Sequence, residues 1–463
     1  MATKRPSIQP MAHQAVSLKH EAKQQRVFDC SDPGTGKTAV AIWAFARRRS
    51  RKGGKMLVFA PRSLLRSAWE ADCRKFAPGL KVSVAYADNR AQAFAVDADV
   101  YVVNHDGVKW VAQQKKAFFA DFETLVVDES TAFKHHSSQR SRAMGKVAKH
   151  FKYRRALTAT PNGRTITDVW HQVLLLDDGQ RLGPSFFAFR NSVCAPEQVG
   201  RNQHAVEWVD KDGAEEAVFG LIQDIVIRHK FEDCVDIPET HTYAVEFELS
   251  AKMRRAYEML EKTQILPLIN AGKMNAVNAA IVANKLLQIC SGAVYDNDGK
   301  AHLVDDARYE LVLDLIEARV STHPLVFFYW QHQRDALISL ADKRGLKFAV
   351  IDGGTSDNER HEIMQRYQAK QYDTVFGHPK SVAHGLTFTA GQSLIWTGPT
   401  ADAEWFKQGS GRQRRIGQKE KTENIMILAK NTREQHVYDM LLGRNARMGN
   451  LLGLFESNND DPS

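Results

Sequence analysis

An eight-residue run near the start of the chain, Ser31-Asp-Pro-Gly-Thr-Gly-Lys-Thr38, has the residue types of a phosphate-binding loop. Gly34 and Gly36 let backbone N–H groups point at phosphate oxygens, where a side chain would obstruct. Lys37 can reach the β- and γ-phosphates, and the Thr38 hydroxyl can ligate Mg²⁺. The first glycine of the full motif is a serine here. Because Gly-Lys-Thr opens an apolar helix, a phosphate site is favoured over a glycine-rich turn that binds nothing.

Two adjacent carboxylates form a second candidate. Asp128 and Glu129 follow the apolar run Leu125-Val-Val, which reads as a buried strand. Catalytic groups gather at the carboxyl edge of parallel sheets. Many strands end in acids, but the upstream phosphate loop favours a functional interpretation. Asp128 is then expected to hold Mg²⁺, directly or through water, and Glu129 to orient or deprotonate an attacking water.

The third element is a basic, glycine-flanked loop, Gln408-Gly-Ser-Gly-Arg-Gln-Arg-Arg-Ile-Gly-Gln418. It could be a solvated loop, a patch for nucleic-acid phosphates, or a pair of arginine fingers. An arginine brought to a γ-phosphate stabilises the charge of the transition state. Arg412 and Arg415 fit that role because the loop follows a strand in a second α/β block.

Strand-like runs alternate with helical segments in both halves of the chain, a pattern typical of parallel sheets covered on both faces. The fold class is therefore predicted as α/β, with two parallel-sheet blocks joined by a helical bridge. Strands are predicted at Met56–Ala60, Val82–Tyr86, Val100–Asn104, Leu125–Asp128, Arg155–Thr158, Thr242–Leu249, Leu325–Trp330, Phe348–Ile351, Thr374–Phe376, Ser393–Thr397 and Asn424–Leu428, and helices at Ser63–Phe76, Ser138–Phe151, Ala251–Lys262, Asn275–Ile289, Gln333–Arg344 and Asn358–Gln368.

Composition narrows the class of protein. The chain has 463 residues, 43% apolar and 25% charged, with a net charge of +9 that hints at a polyanionic partner. The apolar run at 325–330 is too short to span a bilayer, and the first residues lack the apolar core of a secretory signal. The five scattered cysteines make a poor disulfide framework. We therefore expect no membrane partner and a cytoplasmic location.

In the first half, the order of these motifs resembles that of superfamily 2 helicases and translocases, most closely the Swi/Snf-type ATPases, in a short form similar to those of phages and mobile elements. Gln14 resembles their adenine-reading glutamine. Ser31–Thr38 resembles motif I, and Leu57–Leu65 resembles motif Ia. Asp128–Thr131 with Lys134 resembles motif II, and Leu157–Pro161 resembles motif III. Val102–His105 resembles a further segment that contacts DNA in the family. Motif II reads Asp-Glu-Ser-Thr where the family has Asp-Glu-x-His, at positions that couple it to motif III.

The second half continues the resemblance. Arg228 and Lys230 resemble the family's segment between the lobes. Val326–Tyr329 resembles motif IV, His384–Thr389 resembles motif V, and Gln408–Gln418 resembles motif VI. The resemblance implies two RecA-like lobes, with lobe 1 at 1–236 including a helical protrusion at about 167–227. It further implies a bridge at 237–323, lobe 2 at 324–455 and a polar tail at 456–463.

The resemblance also assigns roles to residues. The residues expected to take part in catalysis are Lys37, Asp128, Glu129, Gln408, Arg412 and Arg415. Nucleotide binding is expected from Gln14, Gly34, Thr35, Gly36, Lys37 and Thr38, and metal binding from Thr38 and Asp128. Coupling between the motifs is expected from Thr158, Thr160 and Gly385, and contact with nucleic acid from Arg62, Ser63 and Asn104. The tryptophans Trp69, Trp170 and Trp330 are interpreted as packing residues and receive no role.

The expected function is ATP- and Mg²⁺-dependent translocation along DNA, with duplex favoured and little sequence specificity. The resemblance to short phage forms implies phage or host replication and recombination proteins as partners, and the cytoplasm of a bacterium or a phage-infected host as the location. Two alternatives stay open: a strand-separating DNA or RNA helicase, and a nucleotide-gated scaffold with little turnover. A P-loop kinase is disfavoured because it leaves the second α/β block unexplained.

Overall fold

A computed structural model describes residues 8–52, 54–162, 165–198, 206–234, 238–265, 284–295, 301–382, 386, 388–400, 402–414 and 418–443. The chain forms two compact units. The first contains the residues up to 195 and 209–236, and the second contains 196–208 and 237–445. In the described residues, no helix is long and apolar enough to cross a membrane.

The first unit is built on a seven-stranded parallel sheet in the order β3-β4-β2-β5-β6-β1-β9. The strands are β1 Arg26–Asp29, β2 Lys55–Ala60, β3 Val82–Ala85, β4 Val100–Asn104, β5 Phe122–Asp128, β6 Tyr153–Leu157 and β9 Val226–Ile227. Alternate residues of β2 enter opposite cores: Leu57 and Phe59 pack on one face, Met56 and Val58 on the other. Burial on both faces explains the uninterrupted apolar runs of these strands.

The first unit also contains α-helices. They are Ala12–Lys23, Lys37–Lys52, Ala71–Phe76, Arg90–Ala95, Val108–Val111, Gln139–Ala148, Asp168–Asp177, Phe186–Val193, Ala214–Ile222 and Phe231–Cys234. A π-helical turn, Leu65–Glu70, precedes Ala71–Phe76, so the helix predicted over 63–76 is a π turn followed by an α-helix. Strands β7 Cys194–Gln198 and β8 Val206–Asp210 form a separate two-stranded sheet.

The second unit has a six-stranded parallel sheet in the order β10-β17-β16-β13-β15-β14. Its strands are β10 Thr240–Phe247, β13 Leu325–Phe327, β14 Phe348–Ile351, β15 Thr374–Gly377, β16 Ser393–Trp396 and β17 Thr422–Ala429, with a hairpin of β11 Ala293–Tyr295 and β12 Ala301–Leu303. Helices are Ala251–Leu260, Ala307–Glu317, Gln331–Lys343, Asp357–Gln368, Pro379–Val382 and Ala403–Ser410, together with 284–290 and 434–443.

The predicted α/β class with two parallel sheets is confirmed. Strands β1 and β9 were not predicted, because β1 shows only two apolar residues between Arg26 and Asp29 and β9 is two residues long. The bridge predicted over 237–323 contributes β10, which pairs along its whole length with β17 of the second sheet. Most of the helix predicted at Asn275–Ile289 lies outside the described residues.

A fully buried ion pair anchors the second unit. Arg308 Nη2 donates to Glu434 Oε2 at 2.6 Å, Arg308 also donates to the Cys290 carbonyl, and Ala429 N donates to the same Glu434 oxygen. Both side chains are 1% exposed. The Glu434 carboxylate thus balances the buried charge of Arg308 and accepts a hydrogen bond from the backbone N–H at the end of β17.

We expect Glu434→Ala to lower the free energy of unfolding by about 3–5 kcal/mol, because it leaves the Arg308 charge buried without its carboxylate. Glu420, an exposed glutamate of the same unit, provides the control: Glu420→Ala should change it by less than about 0.5 kcal/mol. Urea unfolding followed by circular dichroism measures both. Equal effects of the two substitutions would contradict the anchoring role.

Candidate nucleotide-binding site

The phosphate loop connects β1 to the helix Lys37–Lys52. Gly34 and Gly36 have φ values of +90° and +89°, a backbone conformation that favours glycine. A Cβ on Gly36 would lie 2.3 Å from Gln14 Nε2, and one on Gly34 would lie 2.9 Å from the Phe231 ring. A side chain at either position would be strained by the backbone conformation and would have to displace Gln14 or Phe231.

Polar side chains pack into this loop. Lys37 Nζ donates to the carbonyls of Ser31 at 2.6 Å and Asp32 at 3.1 Å. Gln14 Nε2 donates to the Thr35 carbonyl at 3.1 Å, and the His13 ring also bonds to that carbonyl. Gln14, which was predicted to read adenine, thus lies against the loop.

A segment at the end of the first unit, residues 228–234, also contacts the loop; we call it the exit segment. Arg228 Nη1 pairs with Asp32 Oδ1 at 2.9 Å and donates to the Cys30 carbonyl. Asp32 N donates to the His229 carbonyl, and Phe231 N donates to Asp32 Oδ2. Arg228 and Lys230 were predicted as an interlobe segment, and the structure shows that Arg228 holds the loop itself.

The carboxylate pair lies at the carboxyl end of β5, two strands from β1 in the same sheet. Asp128 Oδ2 accepts from Trp69 Nε1 at 2.9 Å, and Oδ1 accepts from Glu129 N at 3.0 Å. Burial raises the pKa of Asp128, while the Trp69 N–H bond and the charge of Lys37 oppose that rise. Glu129 has a left-handed φ of 48°, and so the chain turns sharply at the second carboxylate.

His105 binds the main chain of the same aspartate. Its Nε2 lies 2.8 Å from the Asp128 carbonyl oxygen, which can only accept, so this nitrogen carries the proton. Burial lowers the pKa of His105 to about 4, and the bond to the carbonyl opposes that shift. The imidazole is therefore neutral at physiological pH.

Motif II is joined to the motif III loop through Gln172. Ser130 Oγ donates to Gln172 Oε1 at 2.6 Å, and Gln172 Nε2 donates to the Pro161 carbonyl at 2.8 Å. The predicted coupling residues Thr158 and Thr160 lie in this loop, where Thr160 N donates to Thr158 Oγ1. Despite the Asp-Glu-Ser-Thr sequence, the two motifs are hydrogen-bonded through one buried glutamine.

We expect Gln172→Leu to lower the free energy of unfolding by about 1–3 kcal/mol, because it leaves the buried Ser130 hydroxyl and Pro161 carbonyl without this partner. Urea unfolding measures this change. Ser130→Ala should act through the same link, so the double variant should destabilise by less than the sum of the two. Additive effects would show that the link carries no joint contribution.

The predicted nucleic-acid contacts Arg62, Ser63 and Asn104 lie near the ends of β2 and β4. Arg62 is exposed, Ser63 is half-buried, and half-buried Asn104 accepts from Arg90 Nη2 at 3.4 Å. Arg66 is also exposed, and both arginines lie over the Tyr86 ring. This surface presents cations of the kind that bind phosphate.

In the second unit, Gln408 and Arg412 lie at the end of the helix Ala403–Ser410 and in the turn after it. Gln408 Nε2 donates to Glu404 Oε1, while Arg412 Nε donates to the Gln408 carbonyl at 2.9 Å and Nη1 donates to the Leu386 carbonyl. The Arg412 side chain is thus buried and bonded within its own unit. Arg415 and Gly385 lie outside the described residues, and the roles of all four residues stay predictions.

The residues of the first unit fit a nucleoside triphosphate with Mg²⁺. Mg²⁺ in such sites is held by one or two carboxylates together with substrate phosphates. Asp128 supplies a carboxylate, and Thr38, in the first turn of the helix Lys37–Lys52, supplies a hydroxyl. The described residues contain no group of three or more histidine, cysteine or acidic side chains that could hold a metal.

Trp69 and Gln172 are site residues that sequence reasoning missed. Trp69 was interpreted as packing, and it is fully buried, but its indole also donates to Asp128. Gln172 lies in the helix Asp168–Asp177, in a segment that was predicted only as part of a helical protrusion. The sole available signal was a hydrogen-bonding residue type within an apolar segment, which many core helices share.

The chain has two sheets of parallel strands, and one of them carries a phosphate loop and two carboxylates at the same edge. These features define a P-loop nucleotide-binding protein. The model of the SNF2-related domain matches residues 16–291, and that of the helicase conserved C-terminal domain matches 307–417. The first match covers more than half of the chain, which therefore belongs to the SNF2-related family. It is thus a protein of the ATP-dependent helicase or translocase type.

Individual relatives are more distant. Protein p41 of Acyrthosiphon pisum secondary endosymbiont phage 1 is 25% identical, over 93% of this chain and 95% of p41. An ATP-dependent helicase of Mycoplasma pneumoniae is 24% identical over 87% of this chain, but only 38% of its own length is matched. The Sulfolobus solfataricus SWI2/SNF2 ATPase core, solved in complex with dsDNA, matches 100% of this chain and 97% of that one, with a TM-score of 0.44 and 17% identity.

Proposed function

We propose that the protein is an ATP-driven translocase that moves along duplex DNA without strong sequence preference. The observation that carries the proposal is the arrangement at one edge of the first sheet. There the phosphate loop follows β1, Asp128 ends β5 with Glu129 directly after it, and the charge of Lys37 acts on Asp128. This arrangement supports hydrolysis of a bound triphosphate.

Each residue has a part in that reaction. Backbone N–H groups around Gly34 and Gly36, with the positive end of the helix Lys37–Lys52, bind phosphate oxygens. Lys37 attracts the β- and γ-phosphates, and Glu129 orients and deprotonates the attacking water. Mg²⁺, when bound by Thr38 and Asp128, neutralises phosphate charge.

The choice of DNA as the track rests on the family and on surface chemistry. Exposed Arg62 and Arg66, beside Ser63 and Asn104, offer groups that bind backbone phosphates and carry no sequence information. SNF2 membership favours duplex over single strands. Phage or host replication and recombination proteins as partners, and a cytoplasmic location, belong to the same proposal.

A panel of nucleic acids tests this proposal. Phosphate release is measured with blunt duplex DNA, single-stranded DNA and RNA, and duplex should stimulate turnover most. Displacement of a triplex-forming strand without unwinding of a forked duplex is then expected. Stimulation by RNA or single strands alone would overturn the duplex assignment.

The second candidate is a nucleotide-gated scaffold with little turnover, which is favoured by the Ser130-Thr131 departure in motif II. The hydrogen bonds of Ser130 and Pro161 to Gln172 weigh against it, because they keep motifs II and III joined. A nucleic-acid-stimulated turnover of at least about 1 s⁻¹, within the ordinary range for enzymes, would exclude it.

A further inference from the structure

Two segments of the first unit converge on one residue, Asp128. The turn after β2 reaches it through Trp69, whose Nε1 donates to Asp128 Oδ2 at 2.9 Å. The turn after β4 reaches it through His105, whose Nε2 donates to the Asp128 carbonyl at 2.8 Å. One bond therefore holds the carboxylate, and the other holds the main chain that carries it.

The Trp69 connection spans the unit from its surface to its interior. Arg62 and Arg66 are exposed, whereas Trp69, three residues further along, is 0% exposed. The π-helical turn Leu65–Glu70 joins Arg66 to Trp69, and π turns are often found at functional sites. A phosphate bound by the two arginines would therefore act on a short, packed turn whose buried side holds the carboxylate.

The His105 connection is equally short. Asn104, predicted to contact nucleic acid, ends β4, and His105 is the next residue. The ring of His105 packs edge-on against Phe133, with centroids 5.1 Å apart, so that its orientation is restrained. A shift of Asn104 would therefore displace the ring that bonds to the Asp128 carbonyl.

We propose that Trp69 and His105 are positioning residues that connect Asp128 to the two turns facing nucleic acid. When DNA binds to these turns, the two residues set the orientation of the Asp128 carboxylate, which holds the metal. This inference rests on the proposed function, because it assumes that these turns bind DNA. By this route, bound DNA stimulates hydrolysis within the first unit.

The test compares Trp69→Phe, which keeps a buried aromatic ring but removes the N–H donor, with Trp43→Phe. Trp43 is also buried, and its Nε1 donates to the Phe76 carbonyl at 3.1 Å, so the control loses an equivalent indole bond elsewhere in the unit. His105→Phe is the second test variant, since it preserves a ring against Phe133. Thermal melting identifies any variant that is not folded, and the others carry the comparison.

Three quantities are measured for each variant. They are duplex DNA affinity by fluorescence anisotropy, the Mg²⁺ concentration that half-saturates binding of a fluorescent ATP analogue, and phosphate release with and without duplex. Loss of a hydrogen bond to a charged carboxylate should raise the Mg²⁺ requirement of Trp69→Phe about tenfold, and reduce its stimulation by duplex about tenfold. Its duplex affinity should stay within about twofold, because no DNA-facing group is removed.

His105→Phe should lose stimulation with a smaller change in Mg²⁺ requirement, because it holds the main chain and not the carboxylate. Trp43→Phe should match the wild type in all three measurements. Wild-type stimulation and Mg²⁺ requirement in both test variants would overturn this inference and leave the proposed function standing. A wild-type protein that no nucleic acid stimulates would instead count against the proposed function.

Discussion

Replacing Lys37 by alanine should reduce duplex-stimulated phosphate release by about 10²–10³-fold, the cost of removing one group that stabilises transition-state charge. The Lys37 ammonium lies inside the phosphate loop, 2.6 Å from the Ser31 carbonyl, and it acts electrostatically on Asp128. Steady-state phosphate release at saturating duplex measures the loss. The Lys37→Ala variant should still bind DNA, because the predicted DNA contacts lie on other turns.

Lys23→Ala is the matched control for this experiment. Lys23 is an exposed lysine in the last turn of the helix Ala12–Lys23, and its removal should leave turnover unchanged. Turnover of Lys37→Ala close to that of the wild type would show that the loop is not the site of hydrolysis.

Replacing Glu129 by glutamine should lower turnover by about 10²–10⁴-fold, the usual contribution of a general base. Glutamine preserves the size of the side chain but cannot take a proton from water. Binding of a fluorescent ATP analogue should stay within a few-fold of the wild type, because phosphate binding is supplied by the loop. The same phosphate-release measurement, combined with this binding measurement, separates the two effects.

The control is Glu123→Gln, at the opposite end of the same strand, β5. It makes the same chemical change away from the phosphate loop, and we expect normal turnover. If Glu129→Gln retained more than about a tenth of wild-type turnover, the base would have to be another residue.

Much of the fold could be predicted because most strands inside the two sheets are buried on both faces. The run Val100–Asn104, whose first four residues are buried, was predicted with the bounds that the structure shows, and so was the half-buried edge strand Phe348–Ile351. Strand β1 was missed because Arg26 and Asp29 conceal its short apolar centre, although it leads into the phosphate loop. The π turn at Leu65–Glu70 was missed because its sequence is equally suited to an α-helix.

The nucleotide-binding residues could be predicted because local chemistry requires glycines, a lysine and a hydroxyl at fixed spacing. Their supporting partners could not. Trp69 and Asp128 are 59 residues apart in sequence, and Arg228 contacts a loop about 200 residues earlier. Such pairs depend on which strands become neighbours, and an indole that donates to a carboxylate has the same sequence signature as one that only packs.

The exit segment has a practical consequence for anyone dissecting this protein. A truncation that ended at Ile227 would keep every strand of the first sheet but remove the Arg228–Asp32 pair and the Phe231 ring beside Gly34. The phosphate loop would then lose a wall that the rest of the sheet does not supply. A minimal nucleotide-binding fragment must therefore extend through residue 234. The last strand of the sheet does not mark the end of the part of the chain that forms the nucleotide site.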